Sequence, residues 1–172
     1  MAMLNFEFKA KANDLANLED RLLSFKPVFI GEDFQTDTYF NVLKGRLKLR
    51  EGNIENSLIW YERKNIKGAK QSDVLVYRHN PDKTLKDILI ELHGIKVAVH
   101  KRRRIYFVEN VKFHFDTVTT LGTFIEVEAI DDHGTIGVQK LKEQCNKYAV
   151  FFNVQPGDYI GYSYSDMILK NK

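Results

Sequence analysis

Apolar and polar residues alternate along much of the chain, which is the period of a β-strand. In residues 4–11, Leu4, Phe6, Phe8 and Ala10 share one face, and Asn5, Glu7, Lys9 and Lys11 share the other. Alternation, or a run of branched and aromatic residues, predicts further strands at 33–43, 46–50, 58–63, 74–78, 95–100, 102–108, 111–116 and 123–130. Helical spacing replaces it elsewhere. Leu15, Leu18, Leu22 and Phe25 follow Asn13 and Asp14, either of which can cap, and Pro27 ends the run. Leu85, Ile88, Leu89 and Leu92 follow Asp82 and Thr84, with Gly94 where a helix stop belongs. A third helix is predicted over 135–153 and a short closing helix over 163–169. Turns fall at Lys44-Gly45, at Asn80-Pro81-Asp82 and at 108–111, and 64–70 reads as a basic loop. Most connections are too short for parallel crossovers, so the expected class is α+β with a mainly antiparallel sheet. About eight such strands close readily into a barrel with room for one small ligand. The expected architecture is an eight-stranded tunnel barrel with flanking helices, one domain spanning 1–172.

The polar faces of these strands are ionic. Glu7/Lys9/Lys11, Arg46/Lys48/Arg50, Lys101/Arg103, Lys112/His114/Asp116 and Glu126/Glu128 each recur at every second residue. One reading is a sheet that packs its apolar face on helices and shows charge to water. The other curls the charged face inward. Three like charges in a row at Arg46, Lys48 and Arg50 favour the second. Inside a tunnel the candidates would be nine basic groups (Lys9, Lys11, Arg46, Lys48, Arg50, Arg63, Lys101, Arg103, Lys112) and five acidic ones (Glu7, Asp37, Asp116, Glu126, Glu128). An interior so unbalanced is costly when empty and dry, since each buried unpaired charge costs several kcal/mol. It calls for a polyanion, and for a cation to join that polyanion to the carboxylates. Arg and Lys suit phosphate oxygens, and clustered carboxylates suit Mg²⁺ or Mn²⁺.

Composition narrows the classes. Apolar residues are 44% and charged residues 28% of 172, which excludes wholesale disorder. No stretch approaches the ~20 apolar residues of a membrane helix, and the first residues lack a signal-peptide apolar core. Cys145 is the single cysteine, so no intrachain disulfide or cysteine metal site is expected, and a reducing cytoplasm is the expected location. A net charge of +3 is too mild to indicate nucleic acid by itself. The segment Gly68-Ala69-Lys70-Gln71-Ser72 lacks the spacing of a Walker A loop, and the five histidines are scattered, with no HExxH. No membrane partner is expected; a homodimer is left open.

At this point the residues resemble a known family. Asn5-Phe6-Glu7-Phe8-Lys9 resembles the ExExK signature of the CYTH superfamily, the triphosphate tunnel enzymes that include class IV adenylyl cyclases, thiamine triphosphatases and inorganic triphosphatases. Asp37-Thr38-Tyr39-Phe40, Leu47-Lys48-Leu49-Arg50, Tyr61-Glu62-Arg63 and Lys70-Gln71-Ser72 follow in the family's order. So do Lys101-Arg102-Arg103, Val111-Lys112-Phe113-His114-Phe115-Asp116, Leu121-Gly122-Thr123-Phe124-Ile125-Glu126-Val127-Glu128 and Ser163-Tyr164-Ser165-Asp166-Met167. The resemblance covers nearly the whole chain and leans toward the class IV cyclase-like branch. It implies that Glu7, Glu126 and Glu128 hold Mg²⁺ or Mn²⁺. It implies that Lys9, Lys48, Arg50, Arg63, Lys101 and Arg103 cradle the phosphates of a nucleoside triphosphate or other triphosphate, with Lys11, Arg46, Lys70 and Lys112 as further contacts. His114 and Asp116 would orient the nucleophile or the ribose. Asp37, Tyr39 and Tyr61 would touch the organic part of the substrate. The strand phase at 101–104 is open by one residue, Arg102 and Arg104 being the alternatives.

The expected activity is therefore conversion of ATP to cyclic AMP and pyrophosphate, with hydrolysis of tripolyphosphate, thiamine triphosphate or a nucleoside triphosphate as the alternative. A non-catalytic triphosphate-binding module and a basic RNA-binding barrel are the non-enzymatic readings. One departure stands out: Asn5 occupies the first Glu of ExExK, which leaves the metal site one negative charge short.

Overall fold

The computed structural model describes residues 3–62, 67–68 and 70–171. Strands β1 (Met3–Lys11), β2 (Val28–Phe40), β3 (Arg46–Glu51), β4 (Ser57–Glu62), β5 (Lys70–Arg78), β6 (Ile95–Val108), β7 (Val111–Val118) and β8 (Gly122–Asp131) close into a barrel in the order β1-β5-β4-β3-β2-β6-β7-β8. Every neighbouring pair is antiparallel. Helices α1 (Leu15–Leu22), α2 (Lys83–His93), α3 (Val138–Phe151) and α4 (Tyr164–Lys170) flank it. Asp14 caps α1 by accepting from the Asn17 amide, and Asp82 caps α2 through the Thr84 amide. No described helix is long and apolar enough to cross a membrane.

Three elements differ from the sequence expectation, each for a local reason. β6 runs unbroken where two strands were expected. Four consecutive basic residues interrupt the apolar pattern there, yet the alternation continues: Val97, Val99, Lys101, Arg103 and Ile105 are all buried. β2 starts directly after Pro27 and ends at Phe40, and a bulge between Phe29 and Gly31 lets it bend round the barrel. β5 begins at Lys70, because residues 70–74 pair with β1.

Apolar residues gather in three places. Outside β1, β7 and β8, the residues Phe6, Phe8, Phe113, Phe115 and Val127 pack on Leu141, Tyr148 and Phe152 of α3 and its end. Each such aromatic contributes about 1.5–3 kcal/mol on burial. Outside β2 and β3, Phe40 and Leu49 pack under Leu89 of α2. The third cluster lies inside the barrel. Tyr39, Ile59, Tyr61, Val97, Val99, Val118 and Phe124 point inward at one end and meet Tyr164 of α4. Ser163 caps α4 in a reciprocal capping box with Asp166. This end of the barrel therefore carries an apolar stopper, and the ionic face occupies the rest of the interior.

Candidate functional site

The interior holds a cavity of about 500 Å³ that reaches from Tyr164 at the stopper to Arg78, His79, Asn80 and Pro81 at the opposite end. The ionic faces of the strands line it, so the inward reading of the charge pattern is the one realised. Lys101 and Arg103 face in. Arg104 faces out, where it meets Glu19, Glu32 and the Tyr106 hydroxyl.

One wall centres on Asp37 of β2. Its carboxylate accepts from Lys48 Nζ at 3.0 Å, from Arg50 Nε and Nη2 at 2.8 and 2.9 Å, and from Lys101 Nζ at 2.7 Å. Burial would raise the Asp37 carboxyl, but Arg50, Lys101 and Lys48 hold it well below the usual carboxylate range. For Lys101, burial outweighs Asp37, and Arg50, Arg103 and Lys48 add repulsion, so its ammonium is pushed down to about 7. Tyr39 and Tyr61 sit beside this hub with their hydroxyls 3.5 Å apart, in the cavity wall next to the stopper.

The facing wall is built on β1, β7 and β8. Glu126 meets Lys9 Nζ at 2.8 Å, Arg103 Nη2 at 2.6 Å and His114 Nδ1 at 3.3 Å. Glu7 stands opposite Glu128 in the β1–β8 register, and both line the cavity. Asn5 Nδ2 donates to Glu128, and Asn5 Oδ1 is buried with no hydrogen-bond partner. Burial, with Glu126 and Glu55 nearby and against Lys112, raises the Glu128 carboxyl. Burial and Arg103 push His114 down to about 3, so its ring is neutral, and its Nε2 is buried without a partner. Asp116 lies behind this wall rather than in it. It holds Arg103 with two hydrogen bonds at 2.7 and 2.6 Å and accepts from the Tyr164 hydroxyl at 2.7 Å.

Several expected contacts lie elsewhere. Lys11 is exposed. Arg46 has the inward parity but sits at the stopper end, where Asp166 takes it at 2.9 Å. Lys70 is turned to the same end and donates to the Gly161 carbonyl at 3.0 Å. Arg63 lies outside the described residues. Three charged lining residues were missed, Glu55, Arg78 and Asp132. Glu55, on the 52–56 connection between β3 and β4, reaches Arg50 Nη1 at 2.9 Å and also pairs with Lys112. A connection has no periodicity to reveal its direction, so only the acidic residue itself was visible.

These placements correct the expected charge excess. The cations facing the cavity are Lys9, Lys48, Arg50, Lys101, Arg103 and Lys112, with Arg78 at the open end; the anions are Glu7, Asp37, Glu55, Glu126 and Glu128, with Asp132 also in the lining and Asp116 behind Arg103. The lumen is thus close to neutral among the described residues, and the ionic groups satisfy one another.

The donors on the acidic wall suit a divalent cation in kind. Glu7, Glu126 and Glu128 offer carboxylate oxygens, and Asn5 Oδ1 is an uncommitted carbonyl oxygen among them. No three His, Cys, Asp or Glu side chains among the described residues stand already gathered as ligands. Lys9, Arg103 and Asn5 hold the oxygens of Glu126 and Glu128 instead.

The family model of the CYTH domain matches residues 3–149. The chain belongs to the CYTH domain family. Its closed eight-stranded barrel with four helices is the CYTH tunnel fold. Solved structures superpose over almost their whole length. A conserved hypothetical protein from Pyrococcus furiosus has a TM-score of 0.79 at 21% identity, covering 94% of this chain and 98% of that one. A candidate adenylate cyclase from Vibrio parahaemolyticus has a TM-score of 0.80 at 17% identity, covering 98% and 99%. A candidate adenylyl cyclase from Hippeastrum, described as revealing a dominant triphosphatase activity, has a TM-score of 0.67 at 14% identity, covering 100% and 97%. Identities this low establish the shared fold alone. No curated protein matches the chain in sequence.

Proposed function

We propose that this CYTH domain is a metal-dependent enzyme that acts on the triphosphate group of its substrate inside the barrel, and that it hydrolyses the terminal phosphoryl group. The observation that carries the reading is the division of the lumen into a cationic wall and an acidic wall. Three cations crowd one carboxylate at Asp37, an arrangement suited to exchange: phosphate oxygens replace Asp37 as the partners of Lys48, Arg50 and Lys101. On the facing wall Glu7, Glu126 and Glu128, with Asn5 Oδ1 beside them, would hold Mg²⁺ or Mn²⁺. The ion, when bound, neutralises phosphate charge and polarises a phosphoryl oxygen. Arg103, fixed by two hydrogen bonds to Asp116, keeps its position while Lys9 and Glu126 exchange partners. Catalysis of this kind is mostly positioning and electrostatic stabilisation. His114 Nε2, buried and without a partner, orients the attacking water.

Hydrolysis moves ahead of cyclisation because one end of the lumen is stoppered. A triphosphate entering phosphate-first from the Arg78–Pro81 end places its terminal phosphoryl deepest, and any nucleoside nearest the mouth. The most enclosed bond is then the terminal one, not the α-phosphoryl that a ribose hydroxyl would attack. The test is a panel of tripolyphosphate, thiamine triphosphate and ATP with Mg²⁺ or Mn²⁺, reading products. Orthophosphate as the main product is expected. Cyclic AMP with pyrophosphate as the main product would establish the cyclase instead. Tight binding without turnover, reversed by Asn5→Glu, would establish a binding module.

A further inference from the structure

We propose that Glu55 is a specificity-determining residue: an internal anion that holds the outermost phosphate position of the lumen and sets how long a phosphate chain binds tightly. The inference rests on the triphosphate reading and adds to it a residue outside the matching motifs. Glu55 joins two cations from the facing walls, Arg50 on β3 and Lys112 on β7. Inside the rim that Arg78 forms, these are the lumen cations nearest the open end, since Arg50 pairs with Ser57 next to the 52–56 connection and Lys112 follows the β6–β7 turn. A carboxylate bridging them stands where a phosphoryl oxygen of an entering chain would stand.

The connection is built to aim it. Asp33 is fully buried and accepts from the amides of Ile54 and Glu55 at 3.0 and 2.9 Å, and from Gln35 Nε2 at 2.7 Å. Gln35 Nε2 also reaches Glu55 at 3.1 Å. Asn56 bonds Gly52 in both directions, from the Gly52 amide at 3.1 Å and to its carbonyl at 2.9 Å. A Cβ on Gly52 would lie 2.5 Å from Asp33 Oδ1, so only glycine lets the turn close over that carboxylate. The backbone is fixed, and the carboxylate stands at the end of two methylenes that can turn aside. Lys48, Lys101, Lys9 and Arg103 are engaged by Asp37 and Glu126 instead. A two-phosphoryl anion can use those inner cations without touching Glu55. A longer chain has to displace it.

The experiment is calorimetric titration of the full chain with tripolyphosphate and with pyrophosphate, in chelator, for wild type and Glu55→Gln. The change is isosteric and in a partly exposed side chain, and thermal unfolding checks the fold. Tripolyphosphate should bind the variant about tenfold more tightly, while pyrophosphate shifts by less than about twofold. Gly52→Ala is the second variant: it displaces the turn with the charge intact and should move tripolyphosphate in the same direction. Equal changes for both ligands, or no change in a folded variant, would overturn the proposal. Wild type that binds neither ligand would instead remove the triphosphate reading itself.

Discussion

The two walls of the lumen handle buried charge differently. On β2, β3 and β6 a single carboxylate, Asp37, serves Lys48, Arg50 and Lys101. On β1, β7 and β8 the carboxylates Glu7, Glu126 and Glu128 outnumber Lys9 and Lys112, while Arg103 divides its donors between Asp116 and Glu126. Neither wall is a good device for stability, because desolvating an ion pair commonly costs as much as the pair returns. Each is suited to a different guest. The first offers donors in excess to an anion, and the second offers oxygens in excess to a cation. The lesson is that the near-neutral total hides a polarity across the cavity, and that polarity, not net charge, selects a metal-complexed polyanion.

The sharpest way to break the comparison is to remove a carboxylate from each wall. Asp37→Asn strips the buried Arg50 and Lys101 and the half-buried Lys48 of their shared partner and should cost about 3–5 kcal/mol in chemical denaturation. Glu128→Gln, at a carboxyl that burial and its acidic neighbours already raise, should cost less than about 1 kcal/mol or stabilise. Equal losses would mean the walls are not different. Next in size is Arg50→Ala, which removes a donor shared by Asp37 and Glu55 and should weaken tripolyphosphate binding by about tenfold or more in titration calorimetry.

A smaller effect is protonic. Lys101 sits at about 7, so it is mostly deprotonated at pH 8. A bound polyanion favours the charged form, so binding at pH 8 should take up as much as about one proton, read from calorimetry in buffers of different ionisation enthalpy. Lys101→Met should abolish the uptake. The sign for stability runs the same way: between about 7 and the ordinary lysine value of about 10.5 the unfolded chain binds more protons than the native one. This group's contribution to stability therefore rises with pH across that window. The smallest effect is expected at Lys11, which is exposed; Lys11→Ala should change tripolyphosphate affinity by less than about twofold.

Alternation made the wall legible. It put Lys9, Lys48, Arg50, Lys101, Arg103 and Lys112 on inward faces, and all six line the cavity. It could not supply depth. Arg46 and Lys70 have the parity of their strands yet stand at the stopper end, and Asp116 has the parity of His114 yet lies behind Arg103. A period of two fixes which side a residue takes and says nothing of its height along the barrel axis. The apolar stopper was hidden for the same reason: Val97, Val99, Val118 and Phe124 share faces with the ionic residues and differ only in height. Glu55 was hidden because its direction comes from Asp33 and Gly52, contacts made across 20 residues or so of chain rather than by spacing.

The most direct test of the polarised lumen is tripolyphosphate titration of Lys48→Ala and Glu126→Gln, each with Mg²⁺ and with chelator. Lys48→Ala should weaken binding under both conditions, whereas Glu126→Gln should remove the increment that Mg²⁺ adds without weakening binding in chelator. If the two variants lose affinity in the same pattern, the walls do not divide the labour and the account is wrong.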